Sequence, residues 1–127
     1  MKKLILLFSH TLTPTQKEDA KNSFGVEEFL SLPKELQTLW SHVPSEIESL
    51  DDYLEPLKSY LKSEFKKGDV VLVQGDFGAT FSMVTFIHSL GFKAVYATTK
   101  RNVVEEKIEG KVIKTSVFEH VRFREYL

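Results

Sequence analysis

The chain contains no cysteine, which removes disulfides, thiolate metal ligands and a cysteine nucleophile from consideration. Proline and glycine are sparse, four and six in 127 residues, and nowhere do they form a repeat or a low-complexity segment. Charge of one sign is lacking too. Seventeen basic and eighteen acidic side chains leave a net charge of −1, too little for a protein that coats long nucleic acids. No apolar run approaches membrane-spanning length. The opening Met1-Lys2-Lys3 has the charge of a signal peptide, but the apolar run Leu4–Phe8 breaks at Ser9-His10 and reads as a buried strand. These features fit one globular domain over residues 1–127, with the cytoplasm as the expected compartment.

What is present is a strand, a glycine turn and a helix in succession. Val70-Val71-Leu72-Val73 is uniformly apolar, as a strand covered on both faces requires. Gln74-Gly75-Asp76-Phe77-Gly78-Ala79-Thr80 follows, and then Met83, Val84, Ile87 and Leu90 repeat at helical spacing until Gly91. Open α/β sheets build ligand sites from this unit: the helix start offers unpaired N–H groups and partial positive charge, which suit a phosphate. Glycine lets a ligand come close to the backbone. An ordinary turn with Asp76 as helix N-cap accounts for the same residues. The motif is neither a Walker loop, since no lysine follows Gly78, nor G-x-G-x-x-G. Asp76-Phe77-Gly78 also occurs in protein kinases, whose fold a chain this short cannot contain.

Around this unit the chain alternates. Lys3 to Phe8 reads as the first strand, and His10 falls in the loop after it. Thr13, Pro14 and Gln16 open a helix that runs to Phe24 and stops at Gly25. Val26 to Leu32 reads as a strand and Lys34 to His42 as a short helix. Residues 44–67 read as mostly helical, with Pro56 expected to break them into a short piece and a longer one. The acids Glu46, Glu48, Asp51, Asp52 and Glu55 there fit a solvated face rather than a metal site. Lys93 to Thr98 forms another strand, whose end, Thr98-Thr99-Lys100-Arg101, is expected at the carboxyl edge of the sheet. Hydroxyls and an arginine fork at that edge suit a phosphate.

From Lys111 to Tyr126 the sequence alternates, with Phe118, His120, Arg122, Arg124 and Tyr126 on one face and Val117, Val121 and Phe123 on the other. A basic, partly aromatic face suits a nucleotide or a partner subunit; an edge strand charged against aggregation looks the same. Residues 70–127 carry eight bases and six acids, against nine and twelve in residues 1–69, so a small anionic ligand fits the second half. The expected fold is a single α/β, Rossmann-like domain. It has a mainly parallel sheet, helices on both faces and an extended C-terminal edge segment.

Leu6-Leu7-Phe8-Ser9-His10, Gln74-Gly75-Asp76-Phe77-Gly78, Thr98-Thr99-Lys100-Arg101 and Phe118-Glu119-His120-Val121-Arg122-Phe123-Arg124, in that order, resemble the small stand-alone ring nucleases of type III CRISPR systems. Those are compact relatives of the CARF sensor domains, and the resemblance spans the whole chain. It implies a homodimer that binds cyclic oligoadenylate, above all the tetra-adenylate ring, across its two-fold axis and cuts it to linear products. The antiviral signal is thereby switched off.

Such a ring brings each ribose 2′-OH beside the phosphate it attacks, so in-line positioning supplies much of the acceleration. The product is a 2′,3′-cyclic phosphate, and the reaction needs neither a metal nor a cofactor. His10 is the candidate general base or acid, with His120 in reserve. Lys100 and Arg101 are the candidates for stabilising charge, helped by backbone N–H groups near Gly78–Thr80. Ser9, Gln74, Gly75, Asp76, Phe77, Gly78, Thr80, Thr98, Thr99, His120 and Arg122 complete the expected ligand site. Asp76 would face a ribose hydroxyl or an adenine amino group, or cap its helix. A sequestering module without turnover, or a protein-interaction domain, would use the same surfaces.

Overall fold

The structure, a computed structural model, describes residues 2–127. Strands β1 (Lys3–Leu7), β2 (Glu28–Ser31), β3 (Val70–Val73), β4 (Lys93–Ile108) and β5 (Lys111–Glu125) form one sheet in the order β2-β1-β3-β4-β5. β1 to β4 run parallel and β5 is antiparallel to β4. The helices are α1 (Pro14–Phe24), α2 (Lys34–Ser41), α3 (Asp51–Glu64) and α4 (Phe77–Ser89). From β1 the chain steps one way to β2, then crosses back to β3 and β4. Right-handed crossovers therefore place α1 on one face and the other helices on the opposite face.

The core divides accordingly. Leu4, Leu6, Val70, Leu72 and Val95 pack with Ala20 of α1. Ile5, Leu7, Val71, Val73 and Ala94 pack with Trp40, Leu57 and Met83 of the other three helices. Strands covered on both sides have no polar face to spare, and β1 and β3 are buried throughout. The domain is α/β with a mostly parallel sheet between helices, as the alternation of patterns implies.

Local chemistry sets the helix ends. Thr13 caps α1: its hydroxyl accepts from the Gln16 N–H, the Gln16 side chain accepts from the Thr13 N–H, and Gly25 closes the helix at φ 69°. α3 departs from expectation. It is continuous through Pro56, and the break lies earlier, across residues 44–50. Pro56 costs only the bond to the carbonyl four residues back, and the buried Leu54, Leu57 and Leu61 hold the helix to the sheet around that loss.

The larger departure is β4. It does not end at Thr98 but runs to Ile108, and its partner β5 returns through a turn in which Glu109 (φ 52°) and Gly110 (φ 78°) both take left-handed backbone. β3 reaches only to the level of Val95, so beyond Thr99 the two strands pair with nothing but each other. They leave the core as an arm roughly 30 Å long, at about 3.3 Å per residue. Thr98-Thr99-Lys100-Arg101 is thus strand within this arm, not a loop at the carboxyl edge.

Opposite Thr98 and Thr99, β5 carries one extra residue: Thr98 pairs with Arg122 and Thr99 with His120, leaving Val121 unpaired. This bulge breaks the alternation. His120 therefore sits on the same face as Phe123, their rings 4.8 Å apart, and not on the face of Arg124 and Tyr126.

Candidate functional site

The carboxyl ends of β1 and β3 adjoin where the strand order reverses, the position at which open α/β sheets form a ligand crevice. The expected residues gather there, but on two sides of the sheet. On the α1 side a cleft of about 490 Å³ is lined by Phe8, His10 and Thr11 after β1, by Thr13 at the start of α1, and by Thr99, Phe118 and His120 from the root of the arm. On the α4 side a hollow of about 350 Å³ is lined by Gln74, Gly75, Phe77, Thr80, Tyr96 and Tyr126. His10 does not share a hollow with the glycine turn.

On the α1 side His10 is exposed and meets Phe8 edge to face, ring centroids 5.4 Å apart. Ser9 points toward α2, its hydroxyl 3.0 Å from that of Ser41. His120 is held differently: its side chain is 5% exposed, and Nε2 lies 2.7 Å from a carboxylate oxygen of Asp19, 101 residues away on α1. Nδ1 is buried without a partner among the described residues. Burial pushes the Asp19 carboxyl up, yet hydrogen bonds from Ser23 and His120, and the charge of the imidazole, outweigh it and leave the carboxyl below its ordinary range. A carboxylate that fixes one imidazole nitrogen sets the direction of the other.

The glycine turn is built for packing. A Cβ on Gly75 would lie 2.8 Å from the Trp40 indole, so this glycine admits the tryptophan. Gly78 has ordinary space around it. Asp76 caps α4, accepting from the Ala79 N–H at 3.0 Å, so a carboxylate already occupies the pole offered to a phosphate. Gln74 is a structural tie: its N–H donates to Leu7, its side-chain oxygen accepts from the Ala97 N–H at 2.8 Å, and its carbonyl accepts from the Trp40 indole at 3.0 Å. Phe77 is 95% exposed, and the Thr80 hydroxyl is buried without a partner among the described residues.

The four residues Thr98 to Arg101 do not act as one phosphate cradle, because successive strand residues point to opposite faces. Thr98 donates to the Arg122 carbonyl at 2.8 Å, closing the bulge. Thr99 and Arg101 lie on the cleft side, where Arg101 donates from Nε and Nη2 to the Ser116 hydroxyl. Lys100, paired with Glu119, is on the other side. The Arg122 guanidinium reaches only the Phe123 carbonyl, at 3.4 Å.

Asp19 had no signal in the sequence, being one of two adjacent acids, Glu18 and Asp19, on α1. Gln74 as a tie and Trp40 as the reason for Gly75 were equally silent, since each depends on contacts more than twenty residues apart.

Among the described residues no helix is long and apolar enough to cross a membrane. The uncharacterized protein MJ1673 of Methanocaldococcus jannaschii is 47% identical over 126 residues, which cover 99% of this chain and 98% of that protein. No solved structure matches. The model of the Uncharacterized protein MJ1673 family matches residues 2–124, and the chain belongs to that family.

Proposed function

We propose that this protein is a ring nuclease that takes cyclic oligoadenylate, with the tetra-adenylate ring as its preferred form, into the α1-side cleft and opens it. One observation carries the reading: His10, Thr99 and His120, from three remote parts of the sequence, converge on one cleft at the reversal of strand order, and one of the two histidines is fixed by a carboxylate. Phe8 and Phe118 offer flat apolar surface for adenine. Arg101, on the same face as Thr99, is the cation nearest in kind to a phosphate clamp, whereas Lys100 is withdrawn from that role by its orientation.

In the reaction the ribose 2′-oxygen forms a bond to the adjacent phosphorus and the bond from phosphorus to the 5′-oxygen breaks. A base takes the 2′-OH proton and an acid returns one to the departing 5′-oxygen, leaving a linear product ended by a 2′,3′-cyclic phosphate. His10, open to the cleft, is assigned the base, and the proton for the departing 5′-oxygen comes from solvent, because His120 has one nitrogen held by Asp19 and the other buried. A homodimer in the cytoplasm belongs to this reading.

The test is incubation of the purified protein with cyclic tri-, tetra- and hexa-adenylate in EDTA, with products resolved by chromatography. Linear products are expected, slowed by about 10²–10⁴-fold in His10→Ala with ring binding kept. Retention without cleavage would make the protein a sink for the ring, and neither binding nor cleavage would end the nucleotide reading.

A further inference from the structure

Among the described residues the arm beyond Thr99 pairs only with itself, and its two surfaces differ. A lone two-stranded ribbon is marginally stable in water, and cross-strand partners share a face. One face, continuous with the cleft, carries Arg101, Glu105, Lys107 and Lys114, three bases against one acid, around Val103, Val112 and Phe118. The other, continuous with the α4 side, carries Val104, Ile108, Ile113 and Val117, each between 45% and 49% exposed. Its charged residues are Lys100 and Glu119 at the root and Glu106 and Lys111 toward the tip, which cancel. A neutral face of branched aliphatic side chains does not suit a nucleic acid or an anionic membrane; it suits a protein surface.

We propose that this face binds the same face of a second copy of the chain, the two arms lying antiparallel about a two-fold axis near Thr115. Self-complementary charge fits a second copy, and the placement of Glu106 decides the direction. Antiparallel stacking sets each root against the other's tip, which brings Glu119 to the partner's Lys111, Asn102 to the partner's Glu106, and the aliphatic stem of Lys100 along the partner's Ile108. The same placement puts Ile113 over the partner's Val117 and Thr115 beside its own copy. A parallel stacking would instead lay Glu106 over the partner's Ile113, burying a charge against an aliphatic chain. Each tip, at Ile108, then ends level with the partner's Lys100, about 13 Å short of Tyr96 along the strand, so the hollow beside Phe77 stays open.

This pairing does not rest on the nuclease reading, and it alters one consequence of it. Both α1-side clefts remain open on the outer faces, roughly 33 Å apart from the strand rise between His120 and its copy. Each copy then holds its own ligand, instead of sharing one ring on the axis.

The absence of cysteine makes the test clean. Thr115→Cys treated with a short bismaleimide should give a covalent dimer in high yield, and Ser116→Cys, one residue on but on the opposite face, should not. Light scattering should show a dimer for the parent protein without ligand, a monomer for Ile113→Lys/Val117→Lys, a weakened dimer for Glu119→Lys, and restored association for Glu119→Lys/Lys111→Glu. Circular dichroism on the same samples confirms that the domain is folded. A folded parent that stays monomeric at high micromolar concentration, or cross-linking through Ser116→Cys in place of Thr115→Cys, overturns the proposal. None of these readouts uses a nucleotide. Failure of ring cleavage with the dimer intact refutes only the nuclease, and cleavage by a monomer refutes only the arm.

Discussion

β4 belongs to two regions that obey different rules. Its first residues, Ala94 and Val95, are wholly buried between helices, and their neighbours tolerate no misfit. Past Thr99 the same strand runs through solvent with its large side chains half exposed. In the core, burial chooses the structure and hydrogen bonds complete it. In the arm, the ladder to β5 is the structure, and side chains are free to be selected for what they meet outside. Stability should therefore be concentrated in the sheet and surface chemistry in the arm.

The sharpest way to break the core side of the comparison is Asp69. Its carboxylate is fully buried, paired with the Lys3 ammonium, and accepts from the Lys3 and Lys66 N–H groups at 3.1 and 2.9 Å. Burial raises its pKa, and those bonds to Lys3 and Lys66 more than reverse the effect, so the group titrates below its ordinary value. Asp69→Ala strands a buried ammonium and should cost about 3–5 kcal/mol in denaturant unfolding. A cost under 1 kcal/mol would mean that the pair is solvated.

Gly75→Ala comes next. The Cβ has no room beside the Trp40 indole, and the expected loss is about 1–3 kcal/mol by thermal melting. Gly78→Ala, which meets ordinary contacts, should cost far less, so equal losses at the two positions would remove the packing account of the turn.

Asp19→Asn probes the seam, because Asp19 on α1 holds His120 at the root of the arm. The expected loss near neutral pH is about 1–2 kcal/mol. The sign of the pH dependence follows from a carboxyl held low in the folded state. Its stabilisation is complete above the unfolded value of about 3.9 and fades as pH falls through the folded value. Parent and variant should thus converge in acid; a gap that widens on acidification would contradict the assignment.

The smallest effect is expected at Val112→Thr, on the cleft-side face of the arm and 54% exposed. Unfolding free energy should stay within about 0.5 kcal/mol of the parent. A larger loss would show that the arm is packed like the core.

The same division explains what the sequence disclosed. β3, the capping box of α1, the Gly25 stop and the Asp76 cap were legible because local residues decide them. The end of β4 was not. Lys100 and Arg101 look like a loop when burial is the guide, and only pairing with residues some twenty positions away keeps them in a strand. Pro56 misled in the opposite direction, since packing of Leu54, Leu57 and Leu61 outweighed one missing hydrogen bond. Of the expected site, His10, Thr99 and His120 do meet in one cleft, whereas the glycine turn faces the other side and Lys100 and Arg101 point apart. The bulge that brings His120 round to the cleft left no mark in the alternation.

Val121 has a consequence best put in the language of reading frames. A strand is read in twos, and one unpaired residue is a frameshift: everything on one side of it keeps its assignment to a face and everything on the other exchanges it. Residues 111–120 and 122–125 are therefore in different frames, so the arm and the sheet can each present a coherent surface although one strand serves both. Deleting that single residue would restore plain alternation and leave every side chain on its present face, whereas drawing Val121 into the ladder would send residues 111–120 to the opposite one.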